Sequence, residues 1–457
     1  MYNMIESLIK AQKKYFMNGH TRDIDKRIAQ LKKLRTFIQV NEEAILNALR
    51  EDLGKPHFEG YATEVGYVLE SISHFVKHLK GWAKDEKVKA PIHQIPATSY
   101  IRYEPYGVVA VIAPFNYPFQ LLIEPMIGAI AAGNTVIVKP SEYAEKTALI
   151  IQKLVKECFQ TEYVAVVTGG KEMTSELIHA PLDYIFFTGS VPVGKIVMKA
   201  AAERLTPITL ELGGKSPTIV HKDANVKVAA KRIAWGKFIN TGQTCIAPDY
   251  VYVHESIRSD FLNELALAIR QFYGHDPLVS EDYGKIINER HYDRLINLLD
   301  PDKVVIGGQA DRETLYIAPT VMADVGWEDA VMQDEIFGPI LPVLTYTNLN
   351  DILNLMAEKP KPLALYLFSE SDVIHTHVME KVQFGGGCIN DTLTHIANPN
   401  MPFGGVGGSG MGHYHGYDSF LTFSHKKAIH KKSTRIEHGL VFPPYRHKLQ
   451  LIKKILK

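Results

Sequence analysis

The spacing of apolar positions changes once along this chain. From residue 2 to about residue 90 they recur three and four apart, with Lys, Glu and Gln between them, which predicts amphipathic helices. After KAPIHQIPATSY, short β-branched runs take over: GVVAVIA, NTVIVKP, YVAVVTG, DYIFFTG and TPITLEL. Each ends in Pro, Gly or a polar turn, and helical stretches such as EKTALIIQKLVKECF and VGKIVMKAAAERL separate most of them. Near-continuous apolar strands with helical crossovers predict a parallel α/β sheet covered on both faces. A second alternation runs from about 216 to 412, through SPTIVH, VKVAAKRIAWGKF, YVYVHE, SDFLNELALAIRQFY and LALYLFS, and predicts a second α/β domain. Ligands of such sheets sit beyond the carboxyl ends of strands. The turns APFNYP, KPSE and FTGS are therefore where chemistry is expected.

Length and composition narrow the picture. At 457 residues the chain exceeds a comfortable single core, so two or three domains are expected. A formal net charge of +1 gives no bulk attraction to nucleic acid. Three cysteines, at 158, 245 and 388, are too few and odd in number for a disulfide framework, and point to a reducing compartment, the cytoplasm. The opening MYNMIESLIKAQKKYF has no signal-peptide pattern. PYGVVAVIAPFNYPFQLLI, residues 105 to 123, is uncharged until its end but carries Pro114, Asn116 and Pro118 at its centre. It reads as a buried strand, a loop and a helix start rather than a membrane span.

Several motifs bear chemistry. DYIFFTGSVPVGKIVMKAAAE is a strand, a turn with Gly189 and Gly194, and a helix whose free N–H groups suit a phosphate. Gly189 to Lys195 meets the first part of a P-loop, but Ile196 stands where Ser or Thr would bind Mg²⁺, and Pro192 stiffens the loop. The pattern G-x-G-x-x-G occurs at Gly405, Gly407 and Gly410, after a loop rather than a strand, and is rejected as a phosphate site. Glu211 ends the run TLEL between Leu210 and Leu212. A carboxylate there is costly to bury unless paired or used, and apolar surroundings would raise its pKa towards that of a general base. Asn116, on a stiff turn between prolines, is a donor to a developing oxyanion or an ordinary turn residue.

Cys245, in NTGQTCIAPDY, has no disulfide partner implied by the cysteine count, and no Cys or His stands at metal-ligand spacing nearby. The Gly242-Gln243-Thr244 lead-in reads as a mobile polar turn exposing the thiol, with helix N-terminal amides lowering its pKa. Spacing alone leaves Cys245 open between nucleophile and packed thiol. Cys158 and Cys388 read as packing residues, and the His375/His377 and His413/His415 pairs as surface or packing residues. No metal site is expected.

The motifs APFNYP, NTVIVKPSE, FTGSVPVG, LELGGKSP, GQTCIAPDY, DEIFGPILPV and PFGGVGGSGMGHYHG, in this order, resemble the aldehyde dehydrogenase superfamily along nearly the whole chain. The VKPSE form and the SGMGHYHGYDSFLTFSHKK ending resemble its class 3, or fatty-aldehyde-dehydrogenase-like, branch. The resemblance implies NAD(P)-dependent oxidation of an aldehyde to a carboxylic acid. Cys245 would be the thiolate nucleophile, forming a thiohemiacetal and then a thioester. Asn116 would hold the oxyanion and Glu211 would activate the hydrolytic water. Lys139 and Glu142 would contact the adenine-side ribose, and Gly189, Ser190, Val193, Gly194 and Leu212 would line the phosphate turn and its surroundings. Glu335 would hold the nicotinamide ribose, with Phe337 packed near the ring.

Glu142 favours NAD, with NADP as the alternative, because its carboxylate accepts from a ribose hydroxyl and repels a 2′-phosphate. A Rossmann-type cofactor domain would comprise residues 1–90 and 107–211, and an α/β catalytic domain 212–412. A β-hairpin arm, 91–106 with 416–432, would build a homodimer. The basic tail, 433–457, is too short and too charged to span a membrane; surface association is a secondary expectation. Two alternative outcomes are weighed: an acyl-transferring, reductase or esterase relative, against which Glu211 argues, and a silent binding protein, against which the set Asn116, Glu211 and Cys245 argues.

Overall fold

The computed structural model describes residues 2–437 and 439–456. Four long helices, Tyr2–Met17, Ile24–Val40, Glu42–Leu53 and Gly66–Trp82, account for most of the N-terminal pattern. Their apolar stripes face inward: Leu31, Leu34, Ile38, Leu49, Ile72 and Phe75 are fully buried. Between the last two helices, Tyr61–Val65 forms a π-helical turn. Such turns re-aim side chains and often mark functional sites; here Glu64 is turned fully inward.

The β-branched runs form a six-stranded sheet. Its order is Val164–Val166, Thr135–Lys139, Val108–Ile112, Tyr184–Thr188, Ile208–Glu211 and Gly410–Met411, the first five parallel and the last antiparallel. In chain order the parallel strands run 3-2-1-4-5, the doubly wound Rossmann order without its sixth strand. The switch point lies between Val108–Ile112 and Tyr184–Thr188, whose carboxyl ends lead into APFNYP and FTGS. All five residues of each central strand are buried, as a sheet covered on both faces requires.

A seven-stranded sheet follows, ordered Val304–Ile306, Thr320–Ala323, Ile340–Tyr346, Tyr250–His254, Pro217–Val220, Ala364–Phe368 and Gly386–Ile389. Only Val304–Ile306 runs antiparallel. The α/β fold expected from the alternation is observed.

A third sheet is antiparallel: Glu86–Val88, Ala97–Pro105 and Ser424–Lys432. Two details differ from the sequence reading. Glu86–Val88 lies within the stretch read as helical; it is three exposed residues long, and pairing with Ser99–Ile101 creates it. Residues Gly416–Thr422 are a helix, not part of the arm strand. Phe420 is buried, and a Cβ on Gly128 would touch Ser419 at 2.8 Å, so this helix packs on the helix Gln120–Ala132.

Candidate active site

The loops at the switch point and the segment before Tyr250 enclose a cavity of about 1150 Å³. Asn116, Gly189, Ser190, Glu211, Leu212, Cys245, Glu335 and Phe337 all line it. Eight residues separated by up to 221 positions in the chain are thereby brought to one space.

Cys245 follows a run of unusual backbone. Asn240, Thr241 and Gly242 have φ of 52°, 54° and 71°, a left-handed sequence that side-chain residues rarely adopt. Hydrogen bonds hold it there. Asn240 N donates to Glu59 Oε1 at 2.9 Å, and Asn240 Nδ2 to Asn116 O at 2.8 Å and Gln243 O at 3.0 Å. Gln243 Nε2 donates to Asn240 O and Lys285 O, both at 3.1 Å, and its Oε1 accepts from Ile287 N at 3.1 Å. A Cβ on Gly242 would collide with the Gly338 carbonyl. The expected mobile turn is therefore corrected. Gly242, Gln243 and Thr244 are buried, and every polar group of Gln243 is tied.

The thiol itself is half-buried. Burial first, then the nearby Glu335 and Glu211, push it up to about 12, while the Cys245 and Ile246 amides pull weakly the other way. The expected lowering by amides is outweighed, and the surroundings favour the thiol over the thiolate.

Glu211 ends its strand paired with Gly410, its carbonyl accepting from Gly189 N at 3.0 Å. Its side chain is 2 % exposed, and neither carboxylate oxygen has a hydrogen-bond partner. Burial pushes its pKa well above the ordinary range. Asn116 is also buried; its Nδ2 donates to Gln243 O at 3.0 Å, two residues before the cysteine, and its Oδ1 is unpartnered. An amide, a carboxyl and a thiol thus line one cavity.

The profile of the Aldehyde dehydrogenase family matches residues 2–429. The chain belongs to the aldehyde dehydrogenase family. It is 52% identical over 457 residues, all of both chains, to the 4,4'-diaponeurosporen-aldehyde dehydrogenase of Staphylococcus aureus (strain NCTC 8325 / PS 47). It is 45% identical over 435 residues to the dimeric NADP-preferring aldehyde dehydrogenase of Mus musculus, covering 95% of this chain and 96% of that one. The solved substrate-bound state of Staphylococcus aureus AldH superposes with a TM-score of 0.98 at 52% identity, covering 99% of this chain and 100% of the other. Relatives of the class 3 branch are among the matches, so the resemblance carried by the seven motifs is borne out. The enzyme oxidises aldehydes and takes NAD or NADP as cofactor.

The cofactor side of this aldehyde dehydrogenase fits a dinucleotide. Ser190 caps the helix Val191–Ala202 without a side-chain hydrogen bond, so the first amides of that helix stay free at the cavity, where Lys195 also lies. Val193 is exposed on the first turn, and Gly194 is packed where a Cβ would strike Leu212. Neither lines the cavity. Lys139 ends the strand Thr135–Lys139 and is 2 % exposed; its Nζ is 2.8 Å from Glu142 Oε2 and 3.3 Å from Pro140 O. These two also lie outside the cavity wall.

Glu335 projects over Gly213, with the Gly214 amide facing its carboxylate and Oε1 unpartnered. Burial first, then Asp249, raises it to about 8. Phe337, at φ 49°, packs edge-on to Phe115 at 5.8 Å.

Sequence reasoning missed the supports of Glu335. Lys215 Nζ donates to Asp249 Oδ2 at 2.5 Å and to the Asp334 carbonyl at 2.9 Å, while Asp249 Oδ1 accepts from Ile336 N at 2.9 Å. Arg294 Nη2 donates to Ile336 O at 2.6 Å. Lys215 and Asp249 stand inside LELGGKSP and GQTCIAPDY; a charged residue flanked by buried strands was the available signal. Lys237, fully buried and lowered to about 8 by its burial, sits on the helix before the cysteine, with no hydrogen bond to its Nζ. Among the described residues no group of three or more His, Cys, Asp or Glu is placed to hold a metal.

Proposed function

We propose that Cys245 attacks the aldehyde carbonyl, that Asn116 Nδ2 and the Cys245 amide hold the oxyanion, and that Glu211 is the general base for hydrolysis. The observation that carries this reading is the Glu211 carboxylate: buried, raised well above its ordinary pKa, and without a partner in the cavity that holds the thiol. A thiol must lose its proton on attack, and Glu211 and Glu335 are the two carboxyls whose charges the thiol senses. The thiohemiacetal formed on Cys245 becomes a thioester, and Glu211 then draws a proton from the water that releases the acid. NAD, when bound, supplies the hydride acceptor. Glu335 would hold its nicotinamide-side ribose, and the Ser190–Val191 turn its pyrophosphate.

Much of the cavity lining is apolar and aromatic: Tyr67, Tyr117, Trp235, Ile239, Ile396 and Phe403. It suits an extended apolar or aromatic aldehyde, in keeping with the name of the Staphylococcus aureus relative. For the adenine ribose, Glu142 beside Lys139 favours NAD over NADP, although the mouse relative is named NADP-preferring. Higher initial rates with NADP than with NAD at equal concentration would overturn that preference.

The three-stranded sheet supports a homodimer, with its free edge offered to a second copy. The mouse relative, 45% identical, is named dimeric. Three free thiols support residence in the reducing cytoplasm.

A rapid-mixing assay tests the mechanism. Glu211→Gln should give a burst of NADH close to one per active site, then turnover slowed by about a hundredfold or more as thioester accumulates. Cys245→Ala should bind NAD yet show no burst. Normal steady-state turnover in either variant would sink these assignments.

A further inference from the structure

Charge is divided unevenly along the chain. Ten of its 51 Lys and Arg, but one of its 50 Asp and Glu, fall in residues 424–457. That segment carries a formal +9 and everything before it −8. Among the described residues, Lys427 is the only member of the segment in an ion pair, with Glu104.

The same segment displays apolar side chains to water. Val441, Phe442, Tyr445, Leu449, Leu451 and Leu456 are each between 46% and 63% exposed. Lys448 Nζ donates to Gly439 O at 2.6 Å and Phe442 O at 2.9 Å, folding the chain back so that Phe442 returns to the start of the helix Lys448–Ile455. In that helix Ile452 and Ile455 are half-buried, whereas Leu449, Leu451, Lys453 and Lys454 face outward. No described residue of the segment lines the catalytic cavity.

We propose that residues 433–456 dock the enzyme on the surface of an anionic lipid bilayer. Basic side chains alone would serve any polyanion. Exposed Leu, Val and Phe among the lysines have nothing to offer a phosphodiester backbone or an acidic peptide. They match the acyl chains beneath an anionic headgroup layer. A short helix lying in the interface supplies one signal and the basic cluster the second, the combination that stable peripheral binding needs. No helix among the described residues is long and apolar enough to cross a membrane, so the segment lies on the surface. Docking there would bring the cavity to apolar aldehydes where they partition. The inference is independent of the catalytic assignments, because binding is read without turnover.

The test is sedimentation of the full-length protein with vesicles of equal parts phosphatidylcholine and phosphatidylglycerol, against vesicles of phosphatidylcholine alone. The protein should pellet only with the anionic vesicles, and raised salt should release it. Lys453→Gln with Lys454→Gln should weaken partition by about 25-fold, roughly fivefold for each charge removed. Phe442→Ser with Leu449→Ser should also release the protein. All variants should keep wild-type activity on a short, water-soluble aldehyde. Wild-type protein that stays in the supernatant with anionic vesicles at low salt overturns the proposal. So does unchanged vesicle binding by the lysine variant. A lysine variant that alters the sedimentation coefficient of the lipid-free protein, with vesicle binding unmoved, assigns the segment to a second copy of the chain and overturns it equally.

Discussion

Lys55 Nζ lies 2.5 Å from Glu64 Oε1, and both side chains are wholly buried. The pair joins the N-terminal helices to the catalytic loops. Lys55 also donates to Asn116 O at 3.2 Å, and Glu64 Oε2 accepts from Phe119 N at 2.9 Å and Gln120 N at 3.2 Å, at the start of the helix Gln120–Ala132. The Asn116 carbonyl in turn accepts from Asn240 in the strained turn before Cys245. Glu64→Gln would take from a buried cation its hydrogen-bonded counter-charge and leave only the more weakly coupled Glu59, a loss of about 3–5 kcal/mol. Lys55→Met with Glu64→Gln removes that cation and should recover much of the stability. Activity should stay low, by roughly ten- to a hundredfold, because Asn116 and Asn240 lose their anchor. Thermal melts and kcat on the same two proteins check this; recovery of kcat together with stability would make the pair structural only.

The protonation of Cys245 is directly measurable. With its pKa pushed up to about 12, alkylation of the resting enzyme by iodoacetamide should keep accelerating far above the ordinary thiol range of about 8.5. The neighbouring carboxylates contribute with a definite sign. Removing a negative charge favours the thiolate, so Glu211→Gln and Glu335→Gln should each move the profile to lower pH. Peptide mapping separates Cys245 from Cys388. A rate that levels off near neutral pH would show a resting thiolate instead.

Glu124 links stability to pH. It is 1% exposed on the helix Gln120–Ala132, with Oε1 accepting from Ser71 Oγ at 2.7 Å and Oε2 unpartnered. Burial raises it to about 7, against an unfolded value near 4.5. The folded state therefore holds the proton more tightly. Its contribution is fully present below the unfolded pKa and is lost as pH rises through about 7. Glu124→Gln mimics the neutral acid. It should melt near wild type in mild acid and be more stable in alkaline buffer, by a margin on the order of 3 kcal/mol. Equal melting temperatures in alkaline buffer would contradict this.

What was legible in the sequence followed from how each feature is written there. The strands Val108–Ile112, Thr135–Lys139 and Tyr184–Thr188 are short, β-branched apolar runs because both sheet faces are covered. Glu211 stood out as a polar residue at the end of such a run, and Cys245 as a thiol in a polar, glycine-containing turn. Lys55 and Glu64 did not: in a region of amphipathic helices rich in Lys and Glu, a buried pair has the same letters as a solvated one. Burial there is decided by the π-helical turn Tyr61–Val65, a tertiary matter. The rigidity of Asn240–Gly242 was hidden for a similar reason. Asn, Thr and Gly favour flexible turns locally, and only partners as distant as Glu59 and Lys285 lock them.

Gly213 gives a test of Glu335 that leaves the carboxylate itself untouched. A Cβ at position 213 would stand 2.6 Å from the Glu335 carboxyl carbon, and nearer still to both oxygens. Its backbone is not left-handed, so alanine meets no conformational penalty there. The obstruction falls on the side chain alone, whose own backbone is fixed through Lys215, Asp249 and Arg294. Gly213→Ala should therefore displace the carboxylate without unfolding the loop. The KM for NAD should rise about tenfold or more, the cost of losing one charge-assisted hydrogen bond, with the melting temperature close to wild type. Gly81→Ala, where an added Cβ meets nothing within 4 Å, serves as the control. An unchanged KM in Gly213→Ala would mean that Glu335 does not hold the cofactor.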